Sequence, residues 1–448
     1  MSTVDVLAAT RRTVGPGPDC SATIAGTPRT VPAGVKTFGM IGVPIGLAAL
    51  AYGLSTEHNR TLGVLLVCIV YFMGVSQGAL MFTVIQTITL GRWGRPFKRI
   101  AESFWFFMPV NYALYILFLA LGGLEIFPWM HEEMPPHKAV WLQPAFFVAR
   151  NLGMLGLLMV LDFVFIRNSM RADMGVAAET LGTRTPAFWS NFTAGWRGKA
   201  AEVEDTYQKN IRLAPVIVLL YAVFFSFFAV DNIMSLAPHW FANMFPAWHF
   251  VSNVWLALNW TVIVAVFAAD WLKISHLITP KHFHDIGKLI FALCIFWTYN
   301  FFAHLLPIWY GNMPEETWYL ILRMYIEPWA SLSKVVISMC FFIPFTVLLS
   351  RGIKKTPRSL VAVSMVIATG VFLERFDLIM PQVWTKPSLP IHLVELGVVI
   401  GFVAAFLTVV FNVLARVPAV VVSDPFMHEH PDDVHVHVGK GHGHGHAH

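Results

Sequence analysis

The stretch LGVLLVCIVYFMGVSQGALMFTVIQTITL, from Leu62 to Leu90, contains no charged residue. A helix needs about 20 apolar residues to cross the roughly 30 Å of hydrocarbon in a bilayer, and this run exceeds that. Working outward, comparable windows recur near 37–54, 103–122, 141–166, 213–234, 248–270, 287–309, 329–350, 358–380 and 392–415. Ten transmembrane helices are therefore expected. The whole 448-residue chain is 56% hydrophobic and 13% charged, against about 25% charged in soluble domains. Barrel strands would be much shorter and would alternate. The class is an all-α integral membrane protein.

Lysine and arginine positions predict the orientation. Arg11, Arg12, Arg29 and Lys36 precede the first span, and Arg92, Arg95, Lys98 and Arg99 follow the second. The long connection 167–212 adds Arg167, Arg171, Arg184, Arg197, Lys199, Lys209 and Arg212. Lys273, Lys281, Arg351, Lys354, Lys355 and Arg358 fall on the same side, whereas the opposite loops carry only Arg60, Lys138 and Lys386. Both termini are expected to be cytoplasmic. The basic balance reads as a set of membrane anchors and does not suggest nucleic-acid binding.

Three regions follow: a Pro/Gly/Thr-rich cytoplasmic tail over 1–35, a ten-helix domain over 36–415, and a tail over 416–448. The last ends HEHPDDVHVHVGKGHGHGHAH. It has too few apolar residues to pack and reads as disordered, and although alternating histidines can take up transition metals, no dedicated metal role is expected. AAEVEDTYQKN, within 167–212, is read as a surface helix ahead of the fifth span. Cys20, Cys68, Cys294 and Cys340 stand alone, so they cannot hold an iron–sulfur cluster.

Polar residues inside a span are costly and usually face protein or a water-filled cavity. In the sixth span Ser252, Asn259 and Asp270 are 7 and 11 residues apart, which places them on one helix face. In the seventh, Asp285 and Lys288 are i, i+3 neighbours that can pair; Tyr299 shares the Lys288 face, and Asn300 and His304 share another. FLERFDLIMP sets Glu374, Arg375 and Asp377 at the outer end of the ninth span. Asp231, His239, His249, His304, His392, Glu315, Glu316, Arg323 and Glu395 also lie toward the outside. Lone histidines there are more often hydrogen-bonded than ligating, so no haem or metal is expected. The outer loop MSLAPHWFANMFPAW, from Met234 to Trp248, is unusually aromatic for a short connection and reads as a docking surface more than a chemical site. GVSQG, from Gly74 to Gly78, suits close helix approach, and Pro109, Pro328 and Pro344 are expected to kink or break spans.

These residues carry a resemblance. HDIGKLIFALCIFWTYNFFAHLLPIWYGNMPEETWYLILR, from His284 to Arg323, resembles the ActF membrane subunit of bacterial alternative complex III, a quinol:acceptor oxidoreductase. The most specific blocks are IWYGNMPEET (308–317) and MSLAPHWF (234–241). RWGRPFKRIAE (92–102), PFTVLLSRGIKK (344–355) and LERFDLIMP (373–381) support it, and the likeness runs in order over about 36–415. It implies an NrfD-like pair of four-helix bundles with two flanking helices, in the bacterial cytoplasmic membrane. It also implies partners: an ActC-like paralogue beside the chain, with multihaem cytochrome and iron–sulfur subunits on the outer face. The departures are Ala237, Ala242 and Asn243 around the Pro-His pair, and Ala303–His304 where the family commonly has Ser-Gln.

The expected function is that of a membrane subunit of a quinol-oxidising respiratory complex, without a redox cofactor or activity of its own. It shapes the membrane core and is a candidate for quinol binding and proton translocation. Asp231, His239, His304, Glu374, Arg375 and Asp377 form the expected outer proton cluster. Asp270, Asp285 and Lys288 form the cytoplasmic intake, bridged by Asn259 and Tyr299, while the quinol contacts stay unassigned. The rivals are a stand-alone secondary transporter, which the lack of a visible inverted repeat disfavours, and a purely structural scaffold.

Overall fold

The computed structural model describes residues 27–424. Among them, ten helices are long and apolar enough to cross a membrane: Ala33–Thr56, His58–Ile88, Arg95–Ala120, Pro144–Leu181, Lys199–Leu236, Phe245–Leu272, Pro280–Gly311, Trp329–Leu348, Pro357–Val383 and Leu393–Arg416. The chain is an all-α, multi-span membrane protein. In hydrocarbon every backbone N–H and C=O must be satisfied within the segment, which selects the helix.

Spans two to five form one four-helix bundle and spans six to nine a second, while spans one and ten pair along one flank. The second span is the hub. Its apolar window is completely buried, which explains why its sequence shows no polar face. It packs on the sixth span, where Gly74 lies against the Asn253 side chain and Gly78 against the Asn253 backbone. The flanking pair closes on a glycine seam, with Gly46 against Gly401, Gly42 against Ala404 and Gly397 against Ala49. Small residues let backbones approach where hydrocarbon offers no hydrophobic drive to associate.

Two spans are irregular at their prolines. The third passes through a tight turn at Trp105–Phe107 just before Pro109. The eighth widens over Ser338–Phe342 before Pro344. Pro344 has no N–H to offer the Cys340 carbonyl, which instead accepts from Cys294 Sγ at 3.3 Å.

Three boundaries differ from expectation. The fourth helix runs on to Leu181 and the fifth begins at Lys199, so AAEVEDTYQKN is the first turns of the fifth span and not a separate surface helix. The connection shrinks to 182–198. The packed chain also extends beyond 416: Val417, Ala419, Val420, Val421, Val422, Ser423 and Asp424 are buried. Four valines supply the apolar area that the later histidine-rich residues lack. Residues 425–448, with the eight-histidine stretch, and Cys20 lie outside the described residues. Both ends of the described chain meet, Arg29 N–H donating to the Ala415 carbonyl at 2.8 Å. We call that side, which carries the Arg95–Arg99 and Arg351–Arg358 clusters, the basic end.

Candidate functional site

Each bundle holds a carboxylate site at the end opposite the basic one. In the first, the buried Asp231 of span five accepts from Arg150 Nη2 at 2.8 Å and Nε at 3.0 Å, from Asn151 Nδ2 at 2.8 Å and from Trp141 Nε1 at 3.0 Å. The Arg150 guanidinium lies 3.8 Å above the Trp141 ring. Asn232 donates to Asn151 at 3.0 Å and accepts the Tyr115 hydroxyl at 2.7 Å. Every oxygen of Asp231 is engaged, so this site is built to hold a fixed charge.

The second site is more open. Glu374 pairs with Arg375 and accepts from Trp297 Nε1 at 2.9 Å. Arg375 also reaches Ser252 and, at 3.2 Å, Asn253, tying span nine to span six. Three residues on, Asp377 accepts from Ser333 at 2.9 Å, while its other oxygen has no hydrogen-bond partner among the described residues. Arg323 caps the backbone carbonyls of Asp377 and Leu378 at 3.0 and 3.1 Å and stacks 3.6 Å over Tyr319. Burial pushes the Tyr319 hydroxyl up to about 12, so it stays a proton donor at neutral pH.

Between these groups lies a cavity of about 70 Å³. One water occupies roughly 10–15 Å³ on that scale, so it accommodates several waters, at about half of the roughly 150 Å³ that a benzene ring fills. Its walls are Trp240, Trp248, Trp297, Phe301 and Tyr319, and its polar rim is His304, Glu374, Asp377, Arg323 and Ser333. Trp240 stacks on Tyr319 at 3.8 Å and 7°. His304 is buried, packs edge-on to Trp248 at 5.0 Å, and leaves Nδ1 without a partner among the described residues. It also lines an adjoining, wider groove of about 370 Å³ with Asn243 and Glu316, so one imidazole borders both spaces.

The remaining candidates do not form one route. Asn259 is buried, its amide donating to the Trp255 carbonyl at 2.8 Å. Asp270 shares that face by helical angle, but it points outward between the buried Ala268 and Leu272; it is exposed and accepts from Ser275. Asp285 and Lys288 do pair, at 2.6 Å, with Lys288 56% exposed at the surface. Tyr299 is 60% exposed on the outer flank beside Phe296, so it bridges nothing. His239 sits on an exposed turn 3.5 Å from Glu132, away from the Asp231 cluster. In the aromatic loop Trp240 and Trp248 turn inward as cavity wall, and of its Trp and Phe rings only Phe241 is exposed.

Sequence reasoning missed the polar interior of the first bundle. Arg99 pairs with Asp173 and, at 2.6 Å, with Glu102, all three fully buried. Glu102 accepts from Ser169 at 3.0 Å, and Asp173 from the Ser423 amide and hydroxyl at 2.8 and 2.6 Å. Asp424 pairs with Arg95 at 2.7 Å and Lys98 at 3.2 Å. Midway across, Asp162 accepts from Trp105 Nε1 at 3.2 Å. The missed signal was the 11-residue spacing of Asn151, Asp162 and Asp173, hidden because the fourth window stopped at 166. His249, buried with both nitrogens unpartnered among the described residues, was noted in the sequence but given no role. No family model matches the chain, and no curated protein matches it.

Proposed function

We propose that this chain is a membrane subunit of a quinol-oxidising respiratory complex in a bacterial cytoplasmic membrane, and that the second-bundle cavity takes the quinol head group. The observation that carries the reading is the cavity itself. It joins aromatic walls for a flat ring to a rim of His304, Glu374 and Asp377 that can accept hydroxyl protons. The resemblance of 284–323 and 234–241 to the ActF subunit supports the same reading, as do the two bundles with a flanking pair. The electrons leave to haem and iron–sulfur partner subunits on the outer face. The chain's own residues hold the ring and pass its protons toward the groove that His304 shares.

A photoreactive quinone tests this. It is expected to label Trp240, Trp248 or Phe301 in the purified complex, with labelling suppressed by excess quinol and by His304→Trp, which fills the cavity. Labelling elsewhere in the complex, unchanged by His304→Trp, would remove the quinol site from this chain.

A further inference from the structure

The flanking pair is tight through Gly46 and Gly401, yet beside it, between Thr30 and Pro44, lies a groove of about 670 Å³. Small-molecule sites span roughly 300–1,000 Å³. The groove opens to the surroundings: Met40 in its wall is 61% exposed, and 22% of the apolar window of span one is buried. It is graded along its length. At the basic end it is lined by Lys36, Thr30 and Asn412, and about 12 Å further along span one by Val43 and Pro44. Span ten runs antiparallel, and Thr408 meets Gly39 one turn further in on both helices, so Asn412 stands level with Lys36. Asn412 donates one amide hydrogen to the Thr408 carbonyl at 2.7 Å and keeps the other.

We propose that this groove binds one anionic phospholipid, with its phosphate beside Lys36 and Asn412 and an acyl chain along Val43 and Pro44. Charge complementarity decides the headgroup. No carboxylate lines the groove, so nothing in it balances Lys36. Lys36 also sits within a turn of the start of span one at Ala33, where a cation opposes the helix dipole. The cap residue there is Pro32, whose side chain caps no N–H, and the first turn holds no acidic residue. The open N–H groups and the ammonium are both complemented by one negative charge placed between them. A phosphodiester supplies that charge, and basic pockets between membrane helices take acidic lipid headgroups. Trp271 marks the headgroup level at the same place, its indole N–H donating to the Thr30 carbonyl at 3.0 Å. A lysine serving only as a membrane anchor would explain Lys36 but not the groove, whose apolar length suits a hydrocarbon chain and not a soluble anion. The proposal does not depend on what the second-bundle cavity binds.

Native mass spectrometry tests it on the full-length protein, purified with whatever subunits accompany it and stripped of lipid in mild detergent. The protein is titrated with phosphatidylglycerol or with phosphatidylcholine carrying the same acyl chains, and bound lipid is counted. Wild type is expected to hold one phosphatidylglycerol in preference to phosphatidylcholine. Lys36→Gln should weaken that binding about fivefold, the effect of one charge near a headgroup, and remove the preference. Val43→Trp, which fills the apolar half, should lower binding of both lipids, and Lys386→Gln at the opposite end should change neither. Should Val43→Trp fail to assemble, the exposed Lys36→Gln still decides. Equal binding of the two lipids by wild type, or phosphatidylglycerol binding unchanged in Lys36→Gln, would overturn the site. A gain of lipid on removing residues 2–26 would make that segment the occupant and overturn it as well.

Discussion

At the residue scale, the contrast between paired and exposed charges decides what each polar group does. Arg150 and Asp231 are both inside the protein, at 2.8 Å, with side-chain exposures of 7% and 0%. Removing one partner strands the other in a low-dielectric site. Arg150→Ala is therefore expected to destabilise the detergent-solubilised protein by about 3–5 kcal/mol, measured as a lowered unfolding midpoint. Lys288→Ala breaks a surface pair and is expected to cost no more than about 1 kcal/mol. Equal losses in the two variants would mean that Asp231 is not held as described. The carboxylates Glu374 and Asp377 were legible in the sequence because charges interrupt an apolar run there. Asp231 was legible too, but its partner was not: a contact between spans four and five depends on packing, which one sequence does not display. His239 illustrates the converse, since nearness in the chain suggested a link to Asp231 that the turn geometry refuses.

At the element scale, glycine contacts and prolines shape the spans. Gly74–Gly78, Pro109 and Pro344 were readable from residue type, whereas the seam of Gly46 and Gly401 was not, and Pro44, Pro215, Pro307 and Pro381 stay inside helices. The first and tenth spans meet at Gly46 and Gly401, each placed so that an added Cβ would strike the other's Cα. Gly401→Val is expected to separate the pair and cost about 1–3 kcal/mol, seen as a lowered unfolding midpoint. Gly34→Val, open on all sides, should change little. Helix ends were less legible. Windows of hydropathy stop where polarity begins, yet the fourth and fifth helices continue past the hydrocarbon on ion pairs such as Arg171 with Glu202 at 2.8 Å. That early stop hid Asp173 and its pairing with Arg99. Helical angle alone also misled for Asp270, which points outward between the buried Ala268 and Leu272.

At the scale of the whole molecule, the two bundles share a layout. Both carry a buried carboxylate opposite the basic end and an arginine stacked on an aromatic ring, Arg150 on Trp141 and Arg323 on Tyr319. The second has a cavity of about 70 Å³ beside them. At the basic end the segment 417–424 completes the first bundle, supplying Ser423 to Asp173 and Asp424 to Arg95 and Lys98. Ending the chain after Arg416 is expected to prevent accumulation of folded protein, because Asp173 loses Ser423 while Arg95 and Lys98 lose Asp424, whereas ending it after Asp424 should leave folding intact. Expression and size-exclusion profiles of the two truncations check this. Normal folding of the shorter chain would show that the segment only rests on the bundle.

Steady-state turnover tests most directly the proposal that this membrane core serves quinol oxidation. The complex is to be purified gently through this chain and assayed for quinol-dependent reduction of an electron acceptor, with Glu374→Gln alongside. The expected result is co-purifying haem and iron–sulfur subunits, with turnover that falls about tenfold or more in the variant. A chain that purifies alone, or a complex whose quinol turnover is the same with Glu374→Gln, would contradict it.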